Sequence, residues 1–201
     1  MNGRIAFLIV GTLSLLPQAA LAHVGLTGLG GFWNGFLHPL LTPSHLMALL
    51  AVGMLLGTQP TQRASQGLFA FVIATCIGLA MAGAFGRVME LDTAVLLGAA
   101  STGLLVAWQP ALPGVLLFIL VAACGLLLGN DSAQEAYVGK ELVVTLFATG
   151  LAVFLAMLYL LAAAEVLQRY RWTSVGVRVL GSWIAASALI VLALSFAPST
   201  V

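Results

Sequence analysis

The sequence predicts an all-α, polytopic membrane protein: a bundle of six transmembrane helices following a cleavable signal peptide. Composition is the first of three observations behind this. Apolar residues make up 62% of the 201 residues and charged residues only 6%, whereas a water-soluble domain carries roughly 25% charged residues. Uncharged runs of helical length recur along the chain, and they lack the polar–apolar alternation of a transmembrane barrel. In lipid such segments satisfy their backbone hydrogen bonds internally, as helices. The bilayer is therefore the main partner. A net charge of +1 with no basic run gives nucleic acid nothing to bind.

Residues 1–22 read as an address. Arg4 supplies a positive start, Ile5 to Leu16 form a 12-residue apolar core, Pro17 and Gln18 break it, and Ala20-Leu21-Ala22 is an A-x-A cleavage site. An uncleaved first helix is the alternative, but 12 residues reach only about 18 Å, short of the ~30 Å hydrocarbon layer. Cleavage leaves residues 23–201 as a single six-helix domain with His23 as a mature N-terminus outside the cytoplasm.

The spans follow in order. Pro43 to Gly57 is the first helical stretch and Ala64 to Gly86 the second; Thr93 to Asn130 is a 38-residue run folded back at Gln109-Pro110-Ala111-Leu112-Pro113-Gly114. Leu142 to Ala164 and Val179 to Ser199 complete six spans. With the N-terminus periplasmic, Arg63, Arg169, Arg171 and Arg178 fall in cytoplasmic loops and Arg87 and Lys140 in outer ones, as the positive-inside rule requires of a bacterial inner-membrane protein. Glu90, Asp92, Asp131, Glu135 and Glu141 lie in outer loops, where they either form a vestibule that concentrates cations or are simply solvated. Glu165 stands four residues before Arg169, the spacing of an ordinary helix ion pair. Gly78 with Ala82, and the run Gly98 to Gly103, are small-residue stripes of the kind that lets helices approach closely. Trp108, Tyr170 and Trp172 read as interface anchors. Cys76 and Cys124 sit in apolar runs, where a thiol packs as a small hydrophobe.

All three histidines fall between His23 and His45, a stretch that also holds five glycines and two prolines. Thr42 reads as an N-cap and Pro43 as the first helical residue, so Ser44 and His45 open the first span. That span is 15 residues, about 22 Å, and does not cross a ~30 Å layer alone. Gly25 to Leu41 must supply the remaining depth and is expected to be partly inserted, irregular backbone covered by protein or water. Imidazole is a common ligand of nickel, zinc and copper, and ionisable groups inside a membrane are expensive enough to signal function. In a continuous helix His38 and His45 stand about 10.5 Å apart along the axis, too far to share an ion; a bend at Pro39 and Pro43 brings them closer. A hydrogen-bonded structural histidine is the plainer alternative. The chain has no HExxH, CxxC or Walker glycine loop. Ser44 and His45, adjacent on a helix, point about 100° apart and make a poor nucleophile–base pair, so no enzyme is expected.

The signal peptide, the mature histidine, the Gly-rich stretch, Gly35-Phe36-Leu37-His38-Pro39 and His45-Leu46-Met47-Ala48-Leu49-Leu50-Ala51-Val52-Gly53 together resemble the HupE/UreJ family of hydrogenase- and urease-associated nickel or cobalt permeases. That family typically reads HPxxGxDH in its first span; here the octet is His38-Pro39-Leu40-Leu41-Thr42-Pro43-Ser44-His45. Its second pattern, HGxAHGxE, aligns with Leu128 to Glu135 and keeps Gly129 and Glu135, while Leu128 and Ser132 replace its histidines and Asp131 adds a carboxylate. The resemblance implies uptake of Ni2+ or Co2+ as a transported ion, with no permanent cofactor. It assigns His23 to capture, His38 and His45 to the entrance, and Ser44, Asp131 and Glu135 to assistance, with metalloenzyme maturation proteins as partners. A non-transporting accessory protein for hydrogenase or urease is the alternative, because Ser44 removes a charged ligand.

Overall fold

The computed structural model describes residues 30–86, 91–110, 112–132, 134, 136–168 and 171–196. Among them are seven helices and no strand: α1 (Gly31–Leu41), α2 (Pro43–Gly57), α3 (Thr61–Phe85), α4 (Asp92–Trp108), α5 (Gly114–Asp131), α6 (Gly139–Gln168) and α7 (Arg171–Ser195). Helices α3, α5, α6 and α7 are each long and apolar enough to cross a membrane, and α1 with α2 make a fifth candidate span, bent by 66°. Helix α4 is apolar but has 17 residues, about 25 Å at the standard rise. The chain is thus a helical multi-pass membrane protein. The 1–22 segment lies outside the described residues.

Proline sets the bend. Thr42 is extended, with φ −80° and ψ 116°, because the ring of a following proline clashes with a helical residue before it. Pro43 then occupies the first helical position, where its missing N–H is no loss. Pro39 lies inside α1 and withholds the N–H that would reach the Gly35 carbonyl. The Thr149 hydroxyl of α6 lies 2.9 Å from that carbonyl and 3.0 Å from the Thr145 carbonyl of its own helix, and its one proton is shared between them. Thr145, one turn earlier, sets its hydroxyl 2.8 Å from the Glu141 carbonyl of its own helix and 3.1 Å from the Gly31 carbonyl of α1. The expectation of irregular backbone up to Leu41 is corrected accordingly: from Gly31 onward the segment is helical, because α6 supplies what the proline removes. Gly35 makes the approach possible, since a Cβ there would overlap the Thr145 carbonyl oxygen.

Helix α2 runs through the middle of the bundle and touches every other helix, while α3 packs mainly on α5, α4 on α7, and α1 on α6. It has no polar face, only Ser44 and His45 near its start, and an apolar helix of this kind is mostly buried, with Pro43 and Leu46 at its start exposed. Leu49, Val52, Leu55 and Leu56 of α2 are fully buried against Phe71, Leu96, Val106, Leu117, Leu128 and Met157. The periphery is equally apolar: Phe69, Ile73, Phe147, Trp183 and Ile190 are exposed, as lipid contact requires. At the α3–α5 seam, a Cβ on Gly129 would overlap the Thr75 carbonyl oxygen.

The helices overrun the apolar runs that predict them, α3 beginning at Thr61 and α6 at Gly139, because helical hydrogen bonding does not stop where the polar residues begin. The turn after α4 falls where the Gln-Pro signal places it, with Gln109 left-handed at φ 53°. Around this turn, at the end of the bundle away from Thr42, a cavity of about 370 Å³ is lined by Thr58, Gln59, Arg63 and Gln109. Arg63 donates to the Leu112 carbonyl at 3.4 Å and Arg178 to that of Ala107 at 2.9 Å. Trp108 and Trp172 are strongly exposed. The partner expected for Glu165, Arg169, lies outside the described residues.

Candidate functional site

Because α2 starts at Pro43, its first turn carries the only polar side chains of the central helix into the bundle. His45 is 0% exposed and Ser44 only 3%. The last residue of α5, Asp131, meets this turn: His45 Nε2 lies 3.0 Å from Asp131 Oδ2, with both side chains fully buried. The Leu91 N–H donates to Asp131 Oδ1 at 3.3 Å. Asp131 is therefore not the solvated loop acid the charge pattern suggests; the helix continues past Asn130 and carries it inward. An isolated carboxylate at such a position is very unfavourable, and an imidazole partner plus a backbone amide offset much of that penalty.

His38 approaches from the last turn of α1. Its ring is half-buried, stands edge-on to that of His45 with centroids 5.2 Å apart at 84°, and places Nδ1 3.5 Å from Thr42 Oγ1. The 66° bend accounts for this: seven residues of straight helix separate two rings by about 10.5 Å, and the break at Thr42 folds that distance away.

The loop after α5 is tied to α1 over this cluster. Buried Asn34 donates through Nδ2 to the Tyr137 hydroxyl at 2.7 Å, and Gln134 Nε2 reaches the Asn34 carbonyl at 3.4 Å. Neither Tyr137, Gln134 nor the Leu91 amide carries a signal that singles it out in sequence. Asn34 does carry one, as an amide in an aromatic, otherwise apolar stretch.

Four of the six residues singled out from sequence meet at the break of the bent span: His38, Ser44, His45 and Asp131. His23 and Glu135 lie outside the described residues. Among the described residues, no three of His, Cys, Asp or Glu gather closely enough to hold a metal ion between them. Two buried atoms of the cluster, Ser44 Oγ and His45 Nδ1, make no hydrogen bond there, so no Ser44–His45 contact of the nucleophile–base type exists. Hydroxyls elsewhere in the core are satisfied: Thr75 by the Phe71 carbonyl at 2.9 Å and Ser132 by that of Leu128 at 2.6 Å.

Comparison with known proteins bears on most of the chain. The family model described as HupE / UreJ protein matches residues 11–191. The curated Protein HupE of Rhizobium leguminosarum bv. viciae is 32% identical over 163 residues, which cover 77% of this chain and 84% of that protein. No solved structure matches.

Proposed function

The chain belongs to the HupE/UreJ family, and on that premise we propose that it is an inner-membrane permease taking up a divalent transition-metal ion, nickel or cobalt, from the periplasm for metalloenzyme maturation. One observation carries this reading: two histidines and a carboxylate converge at a broken span, beside buried polar atoms that have no protein partner. Broken helices inside membranes are tolerated where backbone lines a substrate path. In this reading the bent α1–α2 pair and α4 complete a six-span plan, and the signal peptide is removed to leave a periplasmic His23. His23 then captures the ion through its amine and ring, and Glu135 assists from the loop after α5. The ion is cargo, and no covalent chemistry is involved.

A test is metal accumulation in cells with and without the gene, across nickel, cobalt, zinc and manganese. His38→Ala should abolish accumulation of the transported ion at unchanged membrane abundance, and His45→Ala should abolish it when uptake is scaled to the amount of protein in the membrane; undiminished uptake in both variants overturns the site. The second reading, a non-transporting accessory protein for hydrogenase or urease, is favoured by Thr42, Ser44, Leu128 and Ser132 at motif positions. It predicts that the purified protein in liposomes moves no metal and binds nickel no better than a histidine-free variant.

A further inference from the structure

Which atoms of the cluster face the ion follows from how its hydrogen bonds are shared out. Both oxygens of Asp131 lie against nitrogen: Oδ1 accepts the Leu91 N–H at 3.3 Å, and Oδ2 is 3.0 Å from His45 Nε2. With the carboxylate ionised it only accepts hydrogen bonds, and the proton between the two side chains then sits on Nε2. In a neutral imidazole the lone pair is then on Nδ1, and this is the atom that is buried without a hydrogen-bond partner. The neighbouring Ser44 Oγ is buried and unpartnered as well, although buried polar atoms are paired as a rule. Carboxylate, then protonated ring nitrogen, then bare ring nitrogen is the order in which an outer-shell acid orients a metal-binding histidine.

We propose that Asp131 is a positioning residue and not a metal ligand: it fixes His45 in the Nε2–H tautomer, so that His45 takes the ion through Nδ1. This rests on the permease reading above and sharpens its selectivity. The donors at the break are then neutral: the Nδ1 of His45, with a second imidazole, His38, edge-on to it. Such a set suits nickel, cobalt, zinc and copper; magnesium, calcium and manganese favour carboxylate oxygens. The carboxylate contributes orientation and basicity without entering the coordination sphere.

The test uses the full chain in lipid nanodiscs with 15N-labelled histidine, titrated with Zn2+ as a diamagnetic probe, His45 being assigned by comparison with His45→Ala. The expected result is that the His45 Nδ1 resonance moves on saturation while Nε2 keeps its directly bonded proton. Asp131→Asn retains a carbonyl oxygen that accepts from Nε2–H, and should bind Zn2+ about 10–100-fold more weakly, the usual range for losing an outer-shell partner, with the order of preference among zinc, nickel and manganese unchanged. A metal-shifted Nε2 with Nδ1 protonated overturns the inference and leaves the permease reading intact, as does an Asp131→Asn variant that reorders the metals. No change at any histidine under saturating Zn2+ overturns both. The measurement on the unsubstituted protein decides the tautomer even if Asp131→Asn fails to fold.

Discussion

The two ends of this bundle handle polar groups in opposite ways. At the end by the Gln109 turn, Arg63 and Arg178 are exposed and donate to the carbonyls of Leu112 and Ala107, and Thr58 donates to the Leu55 carbonyl at 2.7 Å. Polar side chains there pair with main-chain carbonyls. At the break between α1 and α2, His45 and Asp131 are fully buried and bond to each other across 86 residues of sequence, and two atoms are left unsatisfied. The first arrangement closes helix ends and fits any helical bundle. The second keeps an energetic penalty that packing alone does not repay, which is what separates a site from a cap.

The difference is most sharply drawn by removing one member of the buried pair. His45→Ala should reduce metal accumulation to background and also destabilise the protein by about 3–5 kcal/mol, because the buried Asp131 carboxylate loses its imidazole partner. His45→Ala with Asp131→Ala should recover much of the stability and none of the uptake, read as thermal midpoint and metal content side by side. If the double variant is no more stable than the single one, the pairing is not the source of the cost. Next in size is Gly35→Val, whose side chain collides with the Thr145 carbonyl. Overpacking of this kind costs about 1–3 kcal/mol, and it should also separate α1 from α6, lowering both thermal midpoint and uptake; a variant with the original midpoint would show that α1 is not docked there.

Smaller again is Thr149→Val. It removes the donor to the carbonyl that Pro39 leaves open, and should cost about 1 kcal/mol, within the range of hydrogen bonds between membrane helices. In a Pro39→Ala background the alanine supplies its own N–H to that carbonyl, so the same change should cost clearly less; equal costs in the two backgrounds would sink the substitution of one donor by the other. The smallest effect belongs to the Gln109 end. Arg63→Gln should shift stability by no more than about 0.5 kcal/mol, as at ordinary surface positions, with metal accumulation unchanged. Loss of uptake in that variant would erase the distinction between the two ends.

How much of this is legible in sequence depends on whether a feature is local. Pro43 to Gly57 is a helix of the predicted extent, because Thr-Pro at its start is a local signal. The Gln109 turn reads for the same reason. Helix α1 does not: Gly31, Gly35 and Pro39 all argue against helix on propensity, and what overrides them is a pair of threonines, each 114 residues further along the chain. The bend that shortens the His38–His45 separation is announced by its two prolines, though its angle is not. Asp131 reads as an added carboxylate, while its burial depends on α5 continuing past Asn130 and on where α5 lies against α2. The Asn34–Tyr137 tie and the Leu91 amide involve residue types that occur in every loop.

For anyone preparing this protein for crystallography, the glycine two residues before Asp131 sets a limit. Replacing glycine by alanine within helices is a standard route to thermostability, and on propensity Gly129→Ala promises about 1 kcal/mol. Yet that position lies against the Thr75 main chain, and the added methyl group has no room unless α5 shifts away from α3. Such a shift carries Asp131 with it, so a change chosen to stiffen a helix would also retune the imidazole on the next one.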